Sequence, residues 1–416
     1  MTNLVAALRS AVAEHPERTA IRFGRAHVGY RDLLSAACQL GHQLRAQGVA
    51  PGDRVAFAMP NSPRYAVALY GILCAGAVAV PLNPGQPRSA LLARLRDASP
   101  RLFLVGHGPP PSLPDAAAAA GVPVVEAVDT APGTPEIEPE PVPDDSPSVI
   151  TYKSSDDDEP DGVVLSHHAL SWSSTAAAAV LGLTGEDNLA THFPLFYPLG
   201  FTYGLGAAVA AGCGLTLPEL GAEPAAVLAD GPDAATVLST YPMLADTMLA
   251  DGSARPERGP GLRGVFCSGG RSLAPKVRTQ LAERLGCDVL QGYGTVETSA
   301  IACAGRFGEQ PPSGSMGRAV PGVELAVVDG RGREAETGKA GGLLARGPNV
   351  MTGYWERPRE TELAFSSGWL FTGEKARQDA EGNVFLLDNV LWTDRMRGRE
   401  TGRQGLLRRG LRKLGG

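Results

Sequence analysis

Apolar residues recur at i, i+3 and i+4 over residues 3–15 and 31–47, which predicts two amphipathic helices at the start of the chain. Behind the turn Pro51-Gly52-Asp53 the pattern changes. Arg54-Val55-Ala56-Phe57-Ala58-Met59 reads as a strand, Ser62 to Ala75 as a helix, and Ala77-Val78-Ala79-Val80-Pro81 as a second strand. A strand–helix–strand unit predicts a parallel sheet covered by helices. The alternation recurs through 102–106 and 123–125, and later through 226–230, 236–238, 263–267 and 287–290. Residues 107–148, rich in Pro, Ala and Glu, read as a loop with one short helix.

From about residue 310 short strands and Gly turns dominate: 323–329, 342–346 and 383–387. The expected fold is α/β, with two helix-covered, largely parallel sheets and a small β-rich subdomain. The expected division is a body of 1–389, split near 1–165, 166–309 and a β-rich 310–389, followed by a basic tail, 390–416.

Composition narrows the class. The 416 residues are 43% hydrophobic and 20% charged, as in a soluble globular protein. A net charge of −6 argues against a nucleic-acid binder. Cysteines 38, 74, 213, 267, 287 and 303 show no CxxC spacing, which predicts buried free thiols in a reducing, cytoplasmic compartment. The N-terminus has no long apolar h-region, and the apolar stretches near 65–82 and 203–217 are too short or too interrupted by Gly to span a membrane. Residues 393–416 carry eight basic side chains against two acids, with Leu407, Leu411 and Leu414 at helical spacing. That stretch reads first as a frayed tail folded on the acidic body, and it also suits an anionic membrane or an acidic partner, such as an acyl carrier protein or a partner enzyme.

An ordered set of motifs then carries a resemblance. Gly52-Asp53-Arg54-Val55, Pro60-Asn61-Ser62 and Val80-Pro81-Leu82-Asn83-Pro84 come first, then Phe193-Pro194-Leu195-Phe196 and Ser268-Gly269-Gly270. Gln291-Gly292-Tyr293-Gly294-Thr295-Val296-Glu297-Thr298 follows, then Gly317-Arg318, Arg346-Gly347-Pro348-Asn349, Gly353-Tyr354 and Gly368-Trp369-Leu370-Phe371-Thr372-Gly373. From about residue 5 to 389 the chain resembles the large N-terminal domain of the adenylate-forming superfamily: acyl-CoA synthetases, peptide-synthetase adenylation domains and luciferases. The resemblance implies a small-molecule acyl substrate, ATP or AMP, and Mg²⁺ held by Glu297; the residues alone fix no cofactor. It implies a nucleotide and acyl site at Ser268, Gly269, Gly270, Gly292, Tyr293, Gly294 and Thr295, with Tyr197 lining the acyl pocket. Glu297, Tyr197 and His192 are the catalytic candidates, although His192 also reads as a strand-end residue.

The chain departs from the family's pattern at several points. A phosphate loop is expected between strand 148–152 and Gly162. There the chain reads Lys153-Ser154-Ser155-Asp156-Asp157-Asp158-Glu159-Pro160-Asp161, five carboxylates where the family has Thr, Gly and Lys. Carboxylates facing a triphosphate at about 4 Å repel it by roughly 1 kcal/mol each in water and more in a partly buried site. The family's ribose-binding Asp is Glu374, its ribose-binding Arg is Asn389, and the 27 residues after Asn389 are too few for the mobile C-terminal domain. The pattern leads to the expectation that ATP-dependent activation is lost or weakened and that the chain acts on an already activated acyl group, by acyl transfer or condensation. Two alternatives stand beside it: a working adenylating acyl ligase, and a non-catalytic scaffold for a carrier protein or enzyme.

Overall fold

The computed structural model describes residues 3–126, 138–153, 161–219, 221–228, 234–254, 261–269 and 272–387. Ser154, Ser155, Asp156, Asp157, Asp158 and Glu159 of the acidic loop, together with Gly270, Asn389 and the basic stretch 393–416, lie outside the described residues.

Three sheets form the body. The seven-stranded sheet runs in the order Gly353–Tyr354, Gly162–Ser166, Pro147–Tyr152, Val78–Pro81, Arg54–Ala58, Leu102–Val105 and Val124–Glu126. It is parallel from Pro147–Tyr152 onward and antiparallel at the other edge. The nine-stranded sheet is parallel through Asp288–Tyr293, Gly264–Cys267, Val237–Thr240, Asn188–Thr191, Gly214–Leu217 and Thr19–Phe23. A small antiparallel sheet holds Glu324–Val328, Gly341–Arg346, Trp369–Gln378, Phe365–Ser366 and Val384–Leu386. The α/β architecture of two largely parallel sheets with a β-rich addition is therefore present. The sheets are not contiguous in the chain, however. Residues 19–29 join the nine-stranded sheet, and Gly353–Tyr354 returns to the edge of the seven-stranded one.

Local chemistry explains the elements. Helix Pro63–Cys74 starts with proline, which loses no helical bond there, and Ser62 caps it by accepting from the Tyr65 amide at 3.3 Å. Helix His167–Val180 is capped by the Ser166 hydroxyl, which accepts from the Ala169 amide at 3.1 Å. Helix Tyr30–Ala46 buries Leu33, Leu34, Ala37, Leu40 and Leu44, each leucine contributing about 1.5–3 kcal/mol. Its Tyr30 hydroxyl donates into the carbonyls of Ala208 and Cys213 and ties the helix to the nine-stranded sheet.

One predicted element differs. The strand expected at 226–230 is a 3-10 helix, Pro224–Leu228, with Ala225, Val227 and Leu228 buried. A five-residue apolar run buries equally well in either form, and the leading proline with its two alanines favours the helical one. Five cysteines are buried and Cys287 is half-buried, all as free thiols. Among the described residues no helix is long and apolar enough to cross a membrane.

Candidate active site

Four neighbouring parallel strands, 188–191, 237–240, 264–267 and 288–293, end on the same side of their sheet. Just past their C-terminal ends stand Phe193, Tyr241, Gly269 and Gly294, which line one cavity of about 540 Å³ with Pro194, Tyr197, Leu199 and Met243. Ligands of open α/β sheets bind in this crevice because the loops leave the strands there. Lys153, the residue after strand Pro147–Tyr152 of the other sheet, also lines the cavity.

The wall nearest Lys153 is an unusual turn. Thr295 caps the 3-10 turn Val296–Thr298 in a reciprocal capping box, and the next two residues, Ser299 and Ala300, adopt φ of 50° and 65°. Two successive non-glycine residues in the left-handed region cost on the order of 1–3 kcal/mol each and persist only when their surroundings hold them. Here Thr202 donates to the Ser299 carbonyl at 2.8 Å, the Ser299 hydroxyl donates to the Asn349 carbonyl at 2.9 Å, and the Ala300 amide returns to Thr295. Thr202 lies in a π-helical turn, Phe201–Leu205, itself a frequent marker of functional sites. Gly294 is required because a side chain there would strike the backbone of Ala300 and Ile301.

The turn delivers Glu297 into the crevice almost fully buried. Its Oε1 pairs with the Lys153 ammonium and accepts from the Tyr354 hydroxyl at 2.8 Å. Burial alone pushes this carboxyl up, but Lys153 and Tyr354 outweigh it and hold the group below the usual carboxylate range. Glu374 is pushed up instead, by burial first and then by the like charge of Glu297. The Tyr293 phenol is also raised, by burial and then by Glu374. Asp161, the last carboxylate of the expected phosphate loop, lies 4.0 Å from the Lys153 ammonium.

The remaining candidates separate into neighbours and supports. Tyr197 and Gly269 line the cavity, and Tyr197 packs on Phe196 with ring centroids 4.7 Å apart. Ser268 is buried and donates to the Gly292 carbonyl, joining adjacent strand ends. His192 is buried with Nδ1 on Thr240 and Nε2 on the Pro224 carbonyl, and it does not line the cavity. Burial lowers its pKa against the opposing pull of Pro224. The sequence singled out neither Tyr241 nor Met243, and it assigned Tyr354 no role. Tyr354 reaches Glu297 only because Gly353–Tyr354 pairs with Val163–Val164, and no local pattern announces that contact.

Among the described residues no cluster of three His, Cys, Asp or Glu forms an all-protein metal cage. One buried carboxylate that already holds a cation does fit Mg²⁺, which keeps water and phosphate oxygens for its other positions. Glu297 is the residue that would hold such an ion, arriving with a nucleotide.

The matching family model, "AMP-binding enzyme", covers residues 8–355. The indoleacetate–CoA ligase of Aromatoleum aromaticum is 29% identical over 399 residues, covering 89% of this chain and 75% of that protein. The feruloyl-CoA synthase of an Amycolatopsis species is 30% identical over 390 residues, covering 90% and 76%. The benzoate CoA ligase of Burkholderia xenovorans LB400, at 22% identity, shares the fold with a TM-score of 0.85 over 95% of this chain and 83% of its own. The relatives overturn the expectation of lost activation and a repurposed acyl transfer, and with it the description of a degenerate phosphate loop in a pseudoenzyme. They support the adenylating-ligase alternative. Of the loop, only its two ends, Lys153 and Asp161, are among the described residues. At these ends Lys153 pairs with Glu297, and Asp161 lies beside the same ammonium. The chain belongs to the AMP-binding enzyme family.

Proposed function

We propose that the chain is an acyl ligase that activates a carboxylic acid with ATP and hands the acyl group to the thiol of CoA. In the first step a carboxylate oxygen bonds to the α-phosphorus and pyrophosphate leaves, giving an acyl-adenylate. In the second the thiolate attacks the acyl carbon and AMP leaves. The observation that carries this reading is the junction of two unlike halves at Lys153: its ammonium pairs with the buried Glu297, which Tyr354 also meets, and the same lysine lines the apolar cavity. A polar end that manages phosphate charge beside an apolar slot suits an acid whose body is buried and whose carboxylate meets the nucleotide.

The slot narrows the acid. Phe193 and Tyr241 stack at 6.2 Å, and Tyr197, Leu199, Met243 and Val296 complete a lining in which, among the described residues, Lys153 alone is charged. The reading is therefore an aromatic or similarly flat apolar monocarboxylic acid. A second carboxylate deep in the slot would find no charged partner among the described lining residues other than Lys153. The feruloyl and indoleacetate names of the relatives agree with an aromatic acid.

The test is pyrophosphate release from Mg²⁺–ATP by the full chain across benzoic, phenylacetic, cinnamic, fatty and dicarboxylic acids, with hydroxylamine to trap the acyl-adenylate. Release with aromatic monocarboxylates and little with dicarboxylates is the expected pattern. A folded chain that binds ATP yet releases no pyrophosphate with any acid would refute ligase activity, and a preference for dicarboxylates would refute the substrate class.

A further inference from the structure

The contact least explained by ligase chemistry is the one on Glu297 itself. A buried carboxylate is as a rule paired with a cation. In the nucleotide-free protein that cation is the Lys153 ammonium, which shares Oε1 with the Tyr354 hydroxyl. We propose that Lys153 is the resident counter-cation of Glu297: its ammonium holds the place at the carboxylate that the divalent ion of Mg²⁺–ATP takes, so that ammonium and metal occupy Glu297 by turns.

Four observations support an exchange rather than a fixed pair. Lys153 and Tyr354 crowd one carboxylate oxygen, so a metal arriving there meets a cation at short range and the two repel. Lys153 has a second anionic neighbour, since Asp161 Oδ2 lies 4.0 Å from its ammonium, so a small rotation keeps the side chain paired after displacement. The ammonium also sits 5.1 Å from the centre of the Tyr354 ring, a face that favours a cation along the way. Lys153 lines the acyl cavity, so a displaced ammonium stays where a substrate carboxylate enters. Lys153 is then a positioning residue that occupies and orients the Glu297 carboxylate until the metal comes.

This inference rests on the ligase reading for the identity of the metal's carrier, but its test needs neither ATP nor acid. Mn²⁺ binding to the nucleotide-free chain is titrated by electron paramagnetic resonance for wild type, Lys153→Met, Glu297→Gln and the double variant. Removing the competing ammonium should tighten Mn²⁺ binding by about tenfold or more, and the gain should vanish when Glu297 is also replaced. Equal or weaker binding by a folded Lys153→Met overturns the proposal. A second measurement keeps the native chain. Lysines are acetylated with limiting reagent and located by mass spectrometry. Millimolar Mn²⁺ should speed modification of Lys153 while Lys276, Lys339 and Lys375 keep their rates. An unchanged Lys153 rate while Mn²⁺ is bound overturns the exchange as well. A chain that shows the exchange and fails the pyrophosphate assay would leave this proposal standing and remove only the ligase reading.

Discussion

His167 and Glu297 are both ionisable, both buried, and both set in the first turn after a strand end, yet the protein treats them in opposite ways. His167 begins helix His167–Val180 with Nδ1 unpartnered, and burial pushes its pKa down to about 4, so it rests neutral at pH 7. Glu297 suffers a comparable burial and remains charged, because Lys153 and Tyr354 meet it. Burial by itself selects the uncharged form; a charge is kept only where partners are built for it. The first solution is the cheap one for a core. The second needs groups from three separate parts of the chain, and that outlay is what distinguishes the crevice from the core.

The contrast can be tested at four points. The largest effect is expected for Glu297→Gln, which keeps the shape and removes the charge: pyrophosphate release should fall by about a hundredfold or more with the circular dichroism spectrum unchanged. Next comes acid sensitivity. The unfolded chain protonates His167 near pH 6.5 and the folded chain only near 4, so stability is full above 6.5 and declines between those values, by up to about 3 kcal/mol, with no further loss from this group below 4. Urea unfolding of His167→Leu across that window should show a flatter profile. Third, Lys153→Met should cost about 2 kcal/mol at pH 7, less than a fully buried pair because the lysine is partly exposed. Glu297 titrates below its ordinary value, so the stability it contributes is present above about pH 4.5 and lost as pH falls through the lower folded value. The variant's deficit should shrink over that range in denaturant melts. The smallest effect belongs to Tyr354→Phe. Losing one hydrogen bond to a carboxylate should cost about 1.5 kcal/mol by the same measurement, and no change would mean the phenol does not hold Glu297.

The legible and illegible parts of this chain divide along physical lines. Helices such as Tyr30–Ala46 and Pro63–Cys74, and the parallel strands between them, could be read from the residues, because amphipathic period, capping serine and turn glycine act within a few residues of one another. Glu297, Tyr293 and Gly294 stand out as candidates in the residues because their motif is contiguous. The short run at 226–230 was misread because burial does not distinguish strand from 3-10 helix at that length. The expectation of lost activation rested on five carboxylates in one loop and is overturned by the relatives, which are CoA ligases. Which strands share a sheet, and therefore that Lys153, Glu297 and Tyr354 converge at one carboxylate oxygen beside one apolar slot, was set only by folding. Those residues lie 144 and 57 positions apart in the chain, and nothing local to any of them specifies the other two.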